Sequence, residues 1–238
     1  MTDLKTVYLD TGVLRPLWKL HLGHWPRDDN RHRIHSEHLR RILRNEDKRF
    51  NVAAVASVFT IIEMAQFDQS KNYASIRLAA GDDAAEILLE WGRPTWRWSG
   101  LEELLHPVLD GTVDNLEKWS GGEDHGLVSI YHGPWPNPGQ AAEIPLLLGF
   151  ALRLCLSTPV DPDDCYHVAY TMRYCDAILT TDQGLLDSLS RTLNDEGIMD
   201  SIRADYRETF KVDLPTAGFR VFRYPNQLCE FEHWSLLS

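Results

Sequence analysis

Cysteine is scarce in this chain. Cys155, Cys165, Cys175 and Cys229 are the four among 238 residues, and no two of them are spaced Cys-x-x-Cys. No histidines accompany them at zinc-binding spacing, so a disulfide scaffold and a structural zinc site are excluded. They read as buried thiols of a protein in a reducing cytoplasm. Long hydrophobic runs are also missing. The most apolar stretch, Ile144 to Leu156, is interrupted by Pro145 and Arg153, and it is shorter than the ~20 residues a membrane span needs. The first ten residues carry no apolar core followed by a small-residue cleavage site, so no secretory leader is expected. Basic charge is in deficit, with 24 Lys+Arg against 35 Asp+Glu and a formal net charge of −11. A protein that coats nucleic acid non-specifically needs basic surface. That class is excluded, whereas nucleic acid as a substrate stays open.

What is present suffices for a core: 43% of residues are hydrophobic and 25% charged, which rules out a disordered chain. The length suits one large domain, or one domain carrying an insertion. Leu4 to Leu9 is apolar and β-prone and runs directly into Asp10. Helices are expected over Val13–Leu22 and Ile34–Arg49, a strand over Val52–Phe59, and a helix from Thr60. Further helices are expected at 82–91, 140–156 and Asp161–Cys175. In the last of these Pro162 suits the first turn, and Cys165, Val168, Ala169 and Met172 share a face. A short strand at Ala177–Leu179, a helix at Gly184–Leu193, a strand at Phe219–Phe222 and a helix at Asn226–Leu236 complete the pattern. Strands alternating with helices predict an α/β fold with a parallel sheet flanked by helices. The stretch 86–145 departs from that rhythm. Between Trp91 and Gly139 lie Trp91, Trp96, Trp98, Trp119 and Trp135, together with five prolines. It reads as a Trp/Pro-rich insertion within the one domain, its tryptophans forming a small core of their own or stacking on bases.

Four acids share a local grammar. Asp10 ends the first strand, Glu63 opens the helix after the second, Asp164 lies in the first turn of its helix, and Asp182 follows the strand 177–179. Ligands of an open parallel sheet bind beyond the carboxyl ends of its strands, and four carboxylates would converge there. Two carboxylates ~4 Å apart repel by roughly 4 kcal/mol at an effective dielectric near 20. A divalent cation removes that repulsion, and all-oxygen ligands suit Mg²⁺ or Mn²⁺. Such a site activates water for attack on a phosphodiester. Each acid also has a plainer use. Glu63 fits a capping box with Thr60, Asp164 sits where the helix dipole favours an acid, and Asp10 and Asp182 precede helices that they can cap.

Val7-Tyr8-Leu9-Asp10-Thr11-Gly12-Val13-Leu14 resembles the opening of a PIN domain, the nuclease fold of many VapC-like toxins of toxin–antitoxin pairs. Thr60-Ile61-Ile62-Glu63 is similar to that family's second acidic motif. Asp164-Cys165-Tyr166-His167-Val168-Ala169 resembles the third, and Asp176-Ala177-Ile178-Leu179-Thr180-Thr181-Asp182 the fourth. Phe219-Arg220-Val221-Phe222 is similar to the last strand. The match covers about residues 4–75 and 155–232, in family order. It implies a PIN-like domain over 1–238 and a Mg²⁺- or Mn²⁺-dependent endoribonuclease. Asp10, Glu63, Asp164 and Asp182 would be the metal-binding catalytic quartet, supported by the hydroxyls of Thr11 and Thr180. His167 is expected to pack under the site, while Asp163 and Asp176 are alternative acids. The implied partners are an RNA substrate, an antitoxin protein and a second copy of the chain, with no membrane. Two features depart from the family. Gly12 stands where Asn or Ser is usual, removing a polar side chain, and Glu63 is separated from Asp164 by an unusually long 101 positions.

Basic surface for a substrate is concentrated in Arg27–Arg49, which carries a local charge of +3 and leaves −14 on the rest of the chain. Two other readings remain. Asp10-Thr11-Gly12 also resembles the triplet of aspartic proteases, although that chemistry needs a second apposed aspartate in a largely β fold. A PIN-like module that binds but does not cut is the non-enzymatic alternative.

Overall fold

The first strand, β1 (Lys5–Leu9), shows why this chain builds a sheet with two covered faces. Val7 and Leu9 point into one apolar cluster, Tyr8 points into another, and all three are fully buried. The same alternation recurs in β2 (Val52–Ser57), where Ala54 and Ala56 oppose Val55, and in β5 (Ala177–Thr180), where Ala177 and Leu179 oppose Ile178. Strands apolar on both sides need helices on both sides. The computed structural model, which describes residues 4–21, 30–57, 60, 105–108, 128–131, 143–215 and 219–236, supplies them.

On one face lie α1 (Thr11–His21), α2 (Asn30–Leu43) and, from the end of the chain, α7 (Leu228–Ser235). They contribute Val13, Leu14, Leu17, Leu39, Ile42, Leu228 and Phe231 to the first cluster. On the other lie α3 (Glu143–Ser157), α4 (Cys165–Tyr174), α5 (Gln183–Asn194) and α6 (Glu196–Phe210). Phe150, Val168, Leu189, Ile202 and Tyr206 carry the second cluster. Burying each such side chain stabilises the fold by about 1.5–3 kcal/mol.

With β3 (Leu105–Val108), β4 (Val128–Tyr131) and β6 (Arg220–Arg223), the strands form one sheet in the order β3-β4-β2-β1-β5-β6. Every neighbouring pair is parallel. The chain builds outward from β1 through β2, then returns to the other side of β1 with β5. The direction of winding therefore reverses between β1 and β5, and this is where an open parallel sheet leaves a crevice at its carboxyl edge.

Several expectations from the sequence shift here. Two strands, β3 and β4, come from within the stretch 86–145 and extend the sheet. The five tryptophans between 91 and 139 and the helix at 82–91 lie outside the described residues. The helix expected at 34–49 runs from 30 to 43 instead. Asn45 adopts φ 50° and its side-chain oxygen accepts the Phe50 N–H, so a left-handed residue stops the helix early. The helix expected to start at Asp161 starts at Cys165, because Asp161 O accepts from the Asp164 and Cys165 N–H groups in a turn. No element was expected between 193 and 219, yet α6 fills most of that interval. Among the cysteines only Cys165 is buried; Cys155 and Cys175 are half-buried, Cys229 is exposed, and all four are free. Among the described residues no helix is long and apolar enough to cross a membrane.

Candidate functional site

β1 ends at Leu9 and its next residue, Asp10, enters the crevice between β1 and β5. The Asp10 N–H still donates to Leu179 O at 3.1 Å, so the pairing with β5 is complete up to the carboxylate. Asp10 then serves α1: its main-chain oxygen accepts from Val13 and Leu14. Both carboxylate oxygens are held. The Thr11 N–H donates to Oδ1 at 2.7 Å, and the Thr180 hydroxyl donates to Oδ2 at 2.7 Å. The Thr180 bond crosses the crevice, and its donor is fully buried. Thr180 also accepts the Asp182 N–H at 2.9 Å, tying the turn after β5 to the same hydroxyl. Thr11 thus supports Asp10 through its main-chain N–H.

Asp182 is exposed and caps α5, its Oδ1 accepting from the Leu185 N–H at 3.0 Å. For this acid the plainer use is present in full. Asp164 behaves differently. It occupies the cap position of α4 without making a side-chain capping bond, and its backbone is already helical (φ −87°, ψ −18°). Its carboxyl is pushed up to about 6, first by burial and then by the charge of Asp10; His167 opposes the shift, while Asp182 and Asp161 add to it. Asp164 thus lies within the electrostatic field of both Asp10 and Asp182. Glu63 lies outside the described residues. Among the described residues, no three Asp, Glu, His or Cys side chains come close enough to form a metal-binding group. The donor chemistry, carboxylate oxygen throughout, is of the kind that suits Mg²⁺ or Mn²⁺.

The alternative acids separate cleanly. Asp176 sits at the amino end of β5, where its Oδ2 accepts from the Thr6 N–H at 2.7 Å and the Thr6 hydroxyl at 3.1 Å. It fastens the amino edge of the sheet, at the opposite end of β5 from Thr180 and Asp182. Asp163 is exposed in the turn before α4, its N–H bonded to Asp161 Oδ1 at 3.1 Å.

His167 is buried in the first turn of α4, with Nδ1 hydrogen-bonded to the Tyr8 hydroxyl. Tyr8 and Ser57 were not singled out in the sequence, and Thr60 only as a capping-box partner of Glu63. Tyr8 reads as an ordinary strand aromatic until the sheet order places its tip beside the ends of β2 and α4. Thr181 was likewise missed. A Cβ built on Gly12 would lie 1.9 Å from Thr181 Oγ1, so a threonine side chain from across the crevice fills the space above that glycine.

The basic stretch is divided. Arg33 is paired with Glu37 at 2.9 Å on the exposed side of α2. Arg41 and Arg49 both approach Asp47, in the connection that enters β2. Asn51 O there accepts the Lys5 N–H, so this connection lies at the amino edge of the sheet, opposite the carboxylates.

No protein-family model matches this chain, and no curated protein or solved structure matches it either.

Proposed function

We propose that this chain is a PIN-like endoribonuclease that hydrolyses RNA phosphodiester bonds with Mg²⁺ or Mn²⁺. The observation that carries the proposal is the state of Asp164. A half-buried carboxyl without a capping bond is raised to about 6 in part by two other acids of the motif set, Asp10 and Asp182. Acids serving only as helix caps have no need to share a field, and such mutual repulsion is what a cation site stores before it is loaded. A divalent ion, when bound, supplies a Lewis acid for the phosphoryl oxygens and a water of lowered pKa.

The chain's own residues do the rest. Thr11 and Thr180 hold both oxygens of Asp10 in one orientation before anything binds. Well above pH 6 Asp164 is ionised and available as a ligand. Asp182 is exposed and is fixed by Thr180 and by its own cap. By the motif match, Glu63 is the fourth acid. The test is incubation of the purified chain with single-stranded RNA and Mg²⁺ or Mn²⁺, beside Asp10→Asn and Asp164→Asn. Cleavage that stops in both variants and with chelator supports the reading; equal cleavage by wild type and variants defeats it.

A second reading, a PIN-like module that binds without cutting, is favoured by one observation. Asp182 spends an oxygen on its cap, and the described acids form no three-residue ligand group. Retention of RNA by a wild type that never cleaves it would select this reading.

A further inference from the structure

Four buried polar side chains meet beyond the tip of Tyr8, from β1, the end of β2 and the first turn of α4: Tyr8, Ser57, Thr60 and His167, none more than 3% exposed. The Tyr8 hydroxyl stands 2.8 Å from Ser57 Oγ and 2.6 Å from Thr60 Oγ1, and it is hydrogen-bonded to His167 Nδ1. A phenol has one proton to donate and room to accept two. One donated and two accepted bonds therefore account for all three contacts. Ser57 Oγ then accepts the Thr60 N–H at 3.4 Å.

Such a cluster is costly to bury, since each unsatisfied member would carry a full desolvation penalty. Ring packing does not require it. The Tyr8 ring already rests against Tyr170, with centroids 5.4 Å apart, and phenylalanine would fill the same volume. What the hydroxyl adds is a junction. Tyr8 lies two residues before Asp10, His167 one turn after Asp164, and Thr60 three residues before Glu63. Each of the three segments meeting at this oxygen leads directly to a motif acid.

We infer that the Tyr8 hydroxyl and His167 are positioning residues that set the first turn of α4 and the residue-60 segment against the carboxyl end of β1. The network thereby fixes the spacing of Asp10 and Asp164. The inference rests on the metal-site reading for its functional meaning, but its structural half is measurable without metal.

The experiment uses the full chain with Tyr8→Phe, His167→Leu and His167→Asn, the last returning a polar atom near the Nδ1 position. Amide hydrogen exchange is followed without metal, and Mn²⁺ binding is followed by titration calorimetry. In Tyr8→Phe and His167→Leu the amides of Cys165–Val168 exchange faster while those of α6 do not. Mn²⁺ affinity falls about 10- to 100-fold, and His167→Asn recovers most of both losses. Uniform loosening of α3 to α6, or no selective change at α4, overturns the inference. If wild type binds no Mn²⁺, the metal-site reading fails on its own, and the exchange pattern alone decides the positioning role. Should Tyr8→Phe not fold, Thr60→Val removes one hydroxyl from the edge of the network and is read in the same way.

Discussion

Thr181 lays its hydroxyl over Gly12, so closely that a Cβ on residue 12 would stand 1.9 Å from Thr181 Oγ1 and 3.1 Å from Thr181 Cβ. Turning the threonine to another rotamer moves the oxygen but leaves the Cβ in place. The absent side chain at position 12 is therefore matched by one from the opposite wall of the crevice. Gly12→Ser should destabilise the protein by about 1–2 kcal/mol, and Thr181→Gly in the same molecule should recover most of that loss. Urea unfolding of the two single variants and the double variant closes the cycle. Additive losses would show that the two positions are not coupled.

The raised carboxyl of Asp164 makes stability depend on pH in a defined direction. A carboxyl near 6 in the folded state, against about 3.9 in the unfolded state, binds its proton more tightly when folded. Stability of the metal-free protein should therefore fall as pH rises from about 4 to about 6 and stay lowered above that. After screening of a half-buried group is allowed for, the loss is about 1 kcal/mol. Asp164→Asn should remove this slope. Thermal melts in the presence of a chelator, from pH 4 to 7, measure it, and an unchanged slope in the variant would assign the effect elsewhere.

Thr180→Val preserves shape and removes the hydroxyl that serves Asp10 and Asp182 together. It should cost about 2 kcal/mol, because an ionised acceptor and a main-chain donor both lose their partner. RNA cleavage should fall about 10- to 100-fold, since Asp10 is no longer oriented. A full stability loss with unchanged kcat would make the bond structural only.

Asp176→Asn supplies the converse. The site acids lie at the carboxyl edge of the sheet, whereas Asp176 binds Thr6 at the amino edge. Its replacement should lower the melting temperature measurably and leave the cleavage rate and Mn²⁺ affinity at wild-type values.

Apolar runs ending on an acid placed Asp10 and Asp182 at strand ends from sequence alone, because a buried parallel strand has few other ways to stop. α5 was visible for the same reason, an Asp followed by helical periodicity. The equivalent arrangement at Asp195, with Ile198, Met199, Ile202 and Tyr206 behind it, was available but overlooked, and α6 went with it. Other features could not be read locally. Tyr8, Ser57, Thr60 and His167 come from distant segments, and nothing within any one of them marks its polar group as shared. The fit of Thr181 over Gly12 likewise exists only once β5 lies beside β1. An early stop at Asn45 depends on a left-handed residue in a segment whose composition still favours helix.

β1 and β5 are bolted together at both ends, by Asp176 to Thr6 at one and by Thr180 to Asp10 at the other. A pair of strands clamped in this way can neither slide nor splay, so the gap between Asp10 and Asp182 has a set width. α4 joins this pair through a side-chain contact, the Tyr8 hydroxyl on His167 Nδ1, and not through strand pairing. Asp10 and Asp182 are thus carried by a main-chain pairing and Asp164 by a helix that a side chain holds, and relaxation measurements comparing Leu9 and Leu179 with Asp164 should find the strand pair the more rigid.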